Sequence, residues 1–162
     1  MSRLDSFIRR MEAQREILNS VSKSIHALPG PVLEVGLGNG RTYSHLRELM
    51  PEREIFVFDR AVNAHPSSIP EDKYLFLGEV EETLASCGDR ITEPAALIHS
   101  DIGIGDDQGN IEIAKWLSPL VEERTAVGGI VVCNMELNLS GFNELPLPEG
   151  IKPGRYFVYQ KS

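Results

Sequence analysis

Short apolar runs alternate with helical segments along this chain of 162 residues, and the alternation restricts its fold more than any other feature. The predicted strands occupy residues 32–35, 55–58, 74–77, 95–98 and 130–133, and the predicted helices between them occupy residues 41–50, 81–86 and 111–125. Several of these strands are apolar at consecutive positions, which is typical of parallel strands covered by helices on both faces. The alternation therefore predicts an α/β fold with a doubly wound, mostly parallel sheet and right-handed crossovers.

The first segment of the chain has a different pattern, which predicts a long N-terminal helix. Apolar side chains recur at helical spacing over residues 3–28, and steps of seven residues join Leu4, Met11, Leu18 and Ile25. Pro29-Gly30-Pro31 ends this helix. The apolar stripe can pack on the protein's own sheet or form a seam between two copies, so a homo-oligomer through this helix stays open.

The C-terminal segment follows neither pattern. Prolines at positions 146, 148 and 153 exclude a continuous helix there. Residues 155–161 are predicted to form a final strand, antiparallel and near an edge of the sheet. Because the length is that of one typical domain, we expect a single domain over residues 1–162, with the helix in 1–28 and the α/β core in 29–162.

The composition disfavours several classes of protein. Sixteen basic and 24 acidic residues give a net charge of −8, whereas proteins that bind nucleic-acid backbones usually carry a basic surplus. No apolar stretch reaches the roughly 18 residues of a membrane helix. Cys87 and Cys133 lie far apart, without the spacing of a metal finger or a disulfide scaffold. We therefore expect a cytoplasmic protein without a nucleic-acid or membrane partner.

A glycine-rich turn over residues 36–40 joins the first predicted strand to the next helix. Glycine lets the backbone approach a ligand closely, and the helix behind it offers free N–H groups and the positive end of its dipole. In open α/β sheets, ligands bind beyond the carboxyl ends of the strands. A dinucleotide fingerprint needs glycine at position 41, where this chain has Arg41. The turn therefore predicts a cofactor site and disfavours a nicotinamide-dependent oxidoreductase.

The stretch from Val32 to Gly40 resembles motif I of the class I S-adenosylmethionine-dependent methyltransferases, in which apolar residues and an acid precede G-x-G-x-G. The resemblance implies a Rossmann-like fold of six or seven strands, ordered 3-2-1-4-5 with an antiparallel C-terminal strand. It implies S-adenosyl-L-methionine as the cofactor. The motif residues that would bind it are Glu34, Gly36, Leu37, Gly38, Asn39 and Gly40.

Two further segments agree with this resemblance, each directly after a predicted strand. Asp59, followed by Arg60, ends the second strand, where a carboxylate can accept hydrogen bonds from both ribose hydroxyls. After the third strand, the resemblance implies that Glu79 binds the adenine amino group and that the Val80 backbone N–H meets the ring. Simpler interpretations stay open, with Asp59 as a turn residue and Glu79 as a charge in a first helical turn.

Asp101 and Ile102, after the fourth strand, resemble motif IV of the family, which lies beside the methionine end of the cofactor and the transferred methyl group. Asp101 is the candidate general base for an alcohol or phenol acceptor, and the alternative is that it holds the cofactor's amino-acid end. His99, on the same strand face, is expected to be a hydrogen-bonded core residue. A magnesium site of the catechol type would need an aspartate in place of Cys133, so no metal is expected.

Taken together, these residues predict an S-adenosylmethionine-dependent methyltransferase that acts on a small molecule. The alternative is a non-catalytic S-adenosylmethionine-binding module that acts through a partner protein, because no residue is an unambiguous base. The acceptor pocket has the weakest signal in the sequence. The loop over residues 138–152, the N-terminal helix or a second subunit can cover it.

Overall fold

The computed structural model describes residues 1–162. Its four α-helices are α1 Arg3–Ser24, α2 Arg41–Leu49, α3 Val80–Ser86 and α4 Asp107–Arg124. Its seven strands are β1 Val32–Val35, β2 Ile55–Asp59, β3 Leu75–Leu77, β4 Ala95–Ser100, β5 Thr125–Cys133, β6 Phe142–Glu144 and β7 Phe157–Lys161. The strands form one sheet in the order β3-β2-β1-β4-β5-β7-β6. The predicted fold class and strand order are confirmed.

The direction and register of the strands bring three loops to one edge of the sheet. Strands β1 to β5 are parallel, and β7 runs antiparallel to both β5 and β6. At the carboxyl end of β1, Val35 lies between Phe58 of β2 and Ser100 of β4. The residues that follow these three strands therefore emerge side by side.

Helices cover the sheet on both faces, as the uninterrupted apolar strands predicted. Helices α1 and α2 pack on one face, where Ile17, Leu18 and Leu46 are buried, and α3 and α4 pack on the other, where Leu84 and Leu117 are buried. The apolar stripe of α1 therefore packs on the protein's own sheet along most of its length.

The first turns of α1 extend beyond this contact. Leu4, Phe7 and Ile8 are exposed there, so an assembly through this end of the helix stays a prediction. None of the four helices has both the length and the apolar character needed to cross a membrane.

Several boundaries differ from the sequence-based expectation; β5, for example, begins at Thr125 instead of residue 130. Helix α1 ends at Ser24 instead of residue 28, and beyond it the carbonyl oxygens of Ile25 and Leu28 accept hydrogen bonds from the Arg53 side chain. Helix α4 begins at Asp107, because the Asp106 carboxylate caps it by accepting a hydrogen bond from the Gly109 N–H at 2.8 Å. Strand β6 lies inside the segment that was expected to be a loop, since its pairing with β7 and not its own sequence pattern defines it.

Candidate functional site

The three glycines of the turn between β1 and α2 all have positive φ angles, and two of them lie well outside the range that other residues adopt. Gly36, Gly38 and Gly40 have φ angles of 96°, 51° and 88°. A Cβ on Gly40 would lie 2.6 Å from the Ser68 Cβ, whereas a Cβ on Gly38 would meet nothing within 4 Å. Gly40 is therefore required by packing, and Gly38 leaves an open stretch of backbone on which a ligand can lie.

Asp59, the last residue of β2, holds this turn in place. One oxygen of its carboxylate accepts hydrogen bonds from the Leu37 N–H at 2.8 Å and from the Gly38 N–H at 3.3 Å. The other accepts from the Arg60 N–H at 2.6 Å and from the Ala61 N–H at 3.5 Å. Two of these four contacts are long, so the carboxylate keeps capacity to accept hydrogen bonds from a ligand.

Arg60 and Glu79 form the rim of the crevice beyond Asp59. The Arg60 Nε donates to the Glu79 carboxylate at 3.1 Å, and both side chains are largely exposed. An exposed pair of this kind is weak and can open for a ligand. The rim also carries Leu77, which is 54% exposed at the end of β3, so an apolar surface lies beside these charges.

Asp101, directly after β4, is bound by the N-terminal helix. Its Oδ2 accepts hydrogen bonds from Gln14 Nε2 at 2.7 Å and from Arg10 Nη2 at 3.0 Å. The Asp101 side chain is 15% exposed, while that of Arg10 is 46% exposed. Helix α1 therefore closes one side of the crevice, and Asp101 forms an ion pair with Arg10.

A small cavity of about 150 Å³ lies between α1 and the glycine-rich turn. Polar side chains and backbone N–H groups from both sides form its wall, as expected for a polar ligand group. Its lining consists of Arg10, Met11, Gln14, Gly36, Leu37, Gly38, Asn39, Arg41, Thr42 and Asp101. Four of the six predicted motif I residues and Asp101 therefore share one cavity.

Glu34 lies behind this crevice, not on its surface. Its side chain is fully buried in β1, and its Oε1 lies 2.5 Å from the Nδ1 of His99, which is 1% exposed in β4. Burial opposes the charge of His99, but the adjacent Glu34 carboxylate, with Asp101, outweighs burial and raises the pKa of the imidazole. The two side chains form a buried ion pair.

The raised pKa of His99 predicts how stability changes with pH. A group whose pKa is higher in the folded state contributes stability that is fully present below its unfolded value, near 6.5, and is lost as the pH rises through the folded value. We expect the free energy of unfolding, measured by urea titration, to fall over that window. The double variant Glu34→Gln/His99→Gln should lack this component, and an identical pH profile for both proteins would contradict the ion pair.

A second, larger cavity of about 990 Å³ lies between α4 and the segment after β5. Asn134 joins it to the crevice, because its Oδ1 accepts a hydrogen bond from the Gly103 N–H, at 3.1 Å, in the loop that follows Asp101. The cavity wall includes the carboxylates of Asp107 and Glu136 and the ring of Phe157. Cys133, just before Asn134, is buried, and burial raises the pKa of its thiol to about 11.

The sequence left α1 open as a cover for the acceptor pocket, but it did not predict that side chains of α1 bind Asp101. Arg10 and Gln14 are 91 and 87 residues from Asp101 along the chain, and nothing in their local pattern points to a ligand. Gln14 stands where the seven-residue spacing of Phe7, Val21 and Leu28 would place an apolar residue, and this was the one available signal. A glutamine that replaces an apolar residue on a buried helix face must find a polar partner.

Comparisons with known proteins agree with the geometry of the crevice. Residues 1–161 match a family model described as S-adenosyl-L-methionine methyltransferase. The crystal structure of an S-adenosyl-L-methionine methyl transferase from Silicibacter pomeroyi DSS-3 is 44% identical, covers 100% of this chain and 99% of that chain, and has a TM-score of 0.93. No curated protein matches the chain.

More distant structures show the fold alone. The calicheamicin methyltransferase CalS11 is 16% identical with a TM-score of 0.63, and the Podospora anserina methyltransferase PaMTH1, bound to SAH, is 13% identical with a TM-score of 0.59. Each match covers 88% of this chain and 76% of the other chain. Since the family model spans nearly the whole chain and the Silicibacter protein matches over its full length, the chain belongs to the S-adenosyl-L-methionine methyltransferase family, with S-adenosyl-L-methionine as its cofactor.

Proposed function

We propose that this methyltransferase acts on a small polar molecule in the cytoplasm and works as a single domain. The observation that carries the proposal is the convergence of the glycine-rich turn, Asp59, Asp101 and helix α1 on one crevice at the carboxyl ends of β1, β2 and β4. S-adenosyl-L-methionine supplies both the methyl group and its own leaving group. The protein therefore has to bind, orient and exclude water.

The adenosine half would lie across the open side of the glycine-rich turn. Asp59 accepts hydrogen bonds from the ribose hydroxyls, and Gly38 lets the ligand approach the backbone. Glu79 and the Val80 N–H bind the adenine, once Arg60 has released the Glu79 carboxylate. Leu77 and Ile102 offer the ring an apolar surface.

The amino-acid half fits the small cavity between α1 and the turn. A zwitterion needs a cation for its carboxylate and an anion for its ammonium group, and Arg10 and Asp101 supply one of each. Because Asp101 is already bound by Arg10 and Gln14, we propose that it holds the ammonium group instead of acting as a general base. The exposed Arg10 is free to turn toward the carboxylate.

The acceptor would occupy the larger cavity beside Asn134. Its wall carries carboxylates, the amides of Asn110 and Asn138, and Lys115, whose ammonium group is paired with Glu112 at 2.9 Å. This mixture of polar groups suits a polar acceptor of small-molecule size. The net charge of −8 disfavours a nucleic acid.

Thermal shift tests the cofactor site directly. S-adenosylhomocysteine at 100 times its Kd should add about 2.7 kcal/mol of stability, which is a rise in Tm of roughly 5–10 °C for a protein of this size. NAD at the same concentration should give no rise, because Arg41 stands where a dinucleotide site needs glycine. An equal shift with NAD, or no shift with either ligand, would contradict the proposal.

A panel of acceptors tests the proposed substrate class. The purified chain is incubated with S-adenosyl-L-methionine and, in separate reactions, small amines, phenols, carboxylic acids, tRNA and a protein mixture, and released S-adenosylhomocysteine is measured. We expect release above background with at least one small polar compound. Release only with tRNA or protein would reject a small-molecule acceptor and leave the methyltransferase assignment in place.

A further inference from the structure

A cluster of buried polar side chains lies between α1 and the sheet, directly behind the crevice. Its members are Gln14, Glu34, His99, Asp101 and Tyr156. Six buried side-chain nitrogen or oxygen atoms in the protein lack a hydrogen-bond partner, and this cluster holds four of them: Glu34 Oε2, His99 Nε2, Asp101 Oδ1 and Tyr156 Oη. A buried polar atom without a hydrogen-bond partner destabilises the folded state. Their concentration beside a ligand site points to a function beyond packing.

The cluster connects the interior of the sheet to the crevice in two steps. Glu34 of β1 pairs with His99 of β4 at 2.5 Å. His99 and Asp101 follow each other on one face of the chain, two residues apart, and the Asp101 carboxylate adds to the forces that favour the charged imidazole. The Asp101 N–H donates to the Val35 carbonyl oxygen at 3.1 Å, which continues the pairing of β4 with β1 by one residue and keeps the side chains of His99 and Asp101 on the same face.

The second step runs from Asp101 to α1. Oδ2 of Asp101 is bound by Gln14 and Arg10, and Tyr156 lies beside the same two side chains. Gln14 is 5% exposed and fixed, whereas Arg10 reaches solvent. Asp101 therefore has His99 beside it on the sheet and Gln14 and Arg10 of α1 bound to its carboxylate on the other side.

We propose that Glu34 and His99 are positioning residues that keep the Asp101 carboxylate oriented, so that Asp101 can hold the amino-acid end of the cofactor. Neither residue touches the cofactor, since their side chains are 0% and 1% exposed. The inference rests on the proposed function. Glu34 is required in this arrangement because a buried imidazolium without a counter-charge would be strongly destabilising.

The proposal predicts a selective loss of affinity that global damage would not produce. S-adenosylhomocysteine and 5′-methylthioadenosine share the adenosine and the sulfur, but only the first has an amino-acid end. In the double variant Glu34→Gln/His99→Gln, which keeps two hydrogen-bonding side chains and leaves no unpaired charge, calorimetry should show a Kd for S-adenosylhomocysteine at least tenfold higher. The Kd for methylthioadenosine should stay within twofold of the wild-type value.

Glu79→Gln is the matched control, since Glu79 lies at the adenosine end and its loss should weaken both ligands. An equal loss of both ligands in the double variant, or no loss of either, would overturn the proposal. If wild-type protein does not bind S-adenosylhomocysteine, the proposed function fails as well; if it binds without the selective loss, only this inference fails.

A measurement on wild-type protein covers the case in which the double variant does not fold. The ¹⁵N signals of the His99 imidazole should move on addition of S-adenosylhomocysteine but not of methylthioadenosine. Equal changes with the two ligands, or no change with either, would overturn the proposal.

Discussion

Asp59→Ala is expected to raise the Kd for S-adenosylhomocysteine by at least 100-fold. The carboxylate is proposed to accept hydrogen bonds from two ribose hydroxyls, and each bond to a charged group is worth about 1.5–3 kcal/mol. Losing both costs about 3–6 kcal/mol, which corresponds to roughly 10²–10⁴ in affinity. The same substitution frees the N–H groups of Leu37 and Gly38, so the turn also loses the contacts that shape it. Isothermal titration calorimetry measures the effect.

Two variants control for damage to the fold. Asp59→Asn keeps one oxygen acceptor and should fall between Asp59→Ala and wild type. Asp72→Asn changes an exposed acid that precedes β3, at the opposite edge of the sheet, and should bind like wild type. A Kd for Asp59→Ala within threefold of wild type would remove Asp59 from the cofactor site.

Gly40→Ala is expected to lower the free energy of unfolding by about 2–6 kcal/mol. Its φ of 88° strains any residue that has a Cβ, which costs about 1–3 kcal/mol. The added methyl group would also lie 2.6 Å from the Ser68 Cβ and 3.0 Å from the Ser68 carbonyl oxygen, and overpacking of this kind costs a further 1–3 kcal/mol, roughly. The backbone would have to move, so we expect a Tm lower by roughly 5–15 °C and weaker binding of S-adenosylhomocysteine.

Gly38→Ala tests a glycine of the same turn that we expect to be needed for ligand binding and not for folding stability. Gly38 has a φ of 51°, close to the left-handed region that other residues can adopt, and open space around it. The variant should lose only about 1 kcal/mol of stability, yet bind S-adenosylhomocysteine at least tenfold more weakly, because its methyl group extends into the crevice. Equal stabilities for the two variants in urea titrations would contradict the packing argument for Gly40.

The role proposed for Asp101 bears on which acceptors the enzyme could use. An alcohol or phenol must lose a proton during methyl transfer, and a base for this step contributes roughly 10²–10⁴ in rate. Asp101 is held by Arg10 and Gln14, and His99 is buried against Glu34. The sequence left two roles open for Asp101, that of a general base and that of holding the cofactor's amino-acid end. The second role accounts for more of the contacts that Asp101 makes.

Much of the fold was predictable because its signals are local. Uninterrupted apolar runs indicate strands covered on both faces, and their alternation with helices sets the direction of the first five strands. The glycine-rich turn and Asp59 follow the ends of β1 and β2, so their place in the chain already places them at the carboxyl edge. Strand β6 was missed because its three residues carry no pattern of their own and are defined by their pairing with β7.

Periodicity and glycine chemistry act over a few residues, so the parallel sheet, the glycine-rich turn and the acid at the end of β2 could be predicted from local patterns. The binding of Asp101 by Arg10 and Gln14, and the burial of Glu34 against His99, 65 residues away, became visible only in the packed fold. Periodicity states which face of an element is buried, but not which distant side chain lies across from it. The partner of a buried polar residue is fixed only when the strands pair and α1 packs on the sheet.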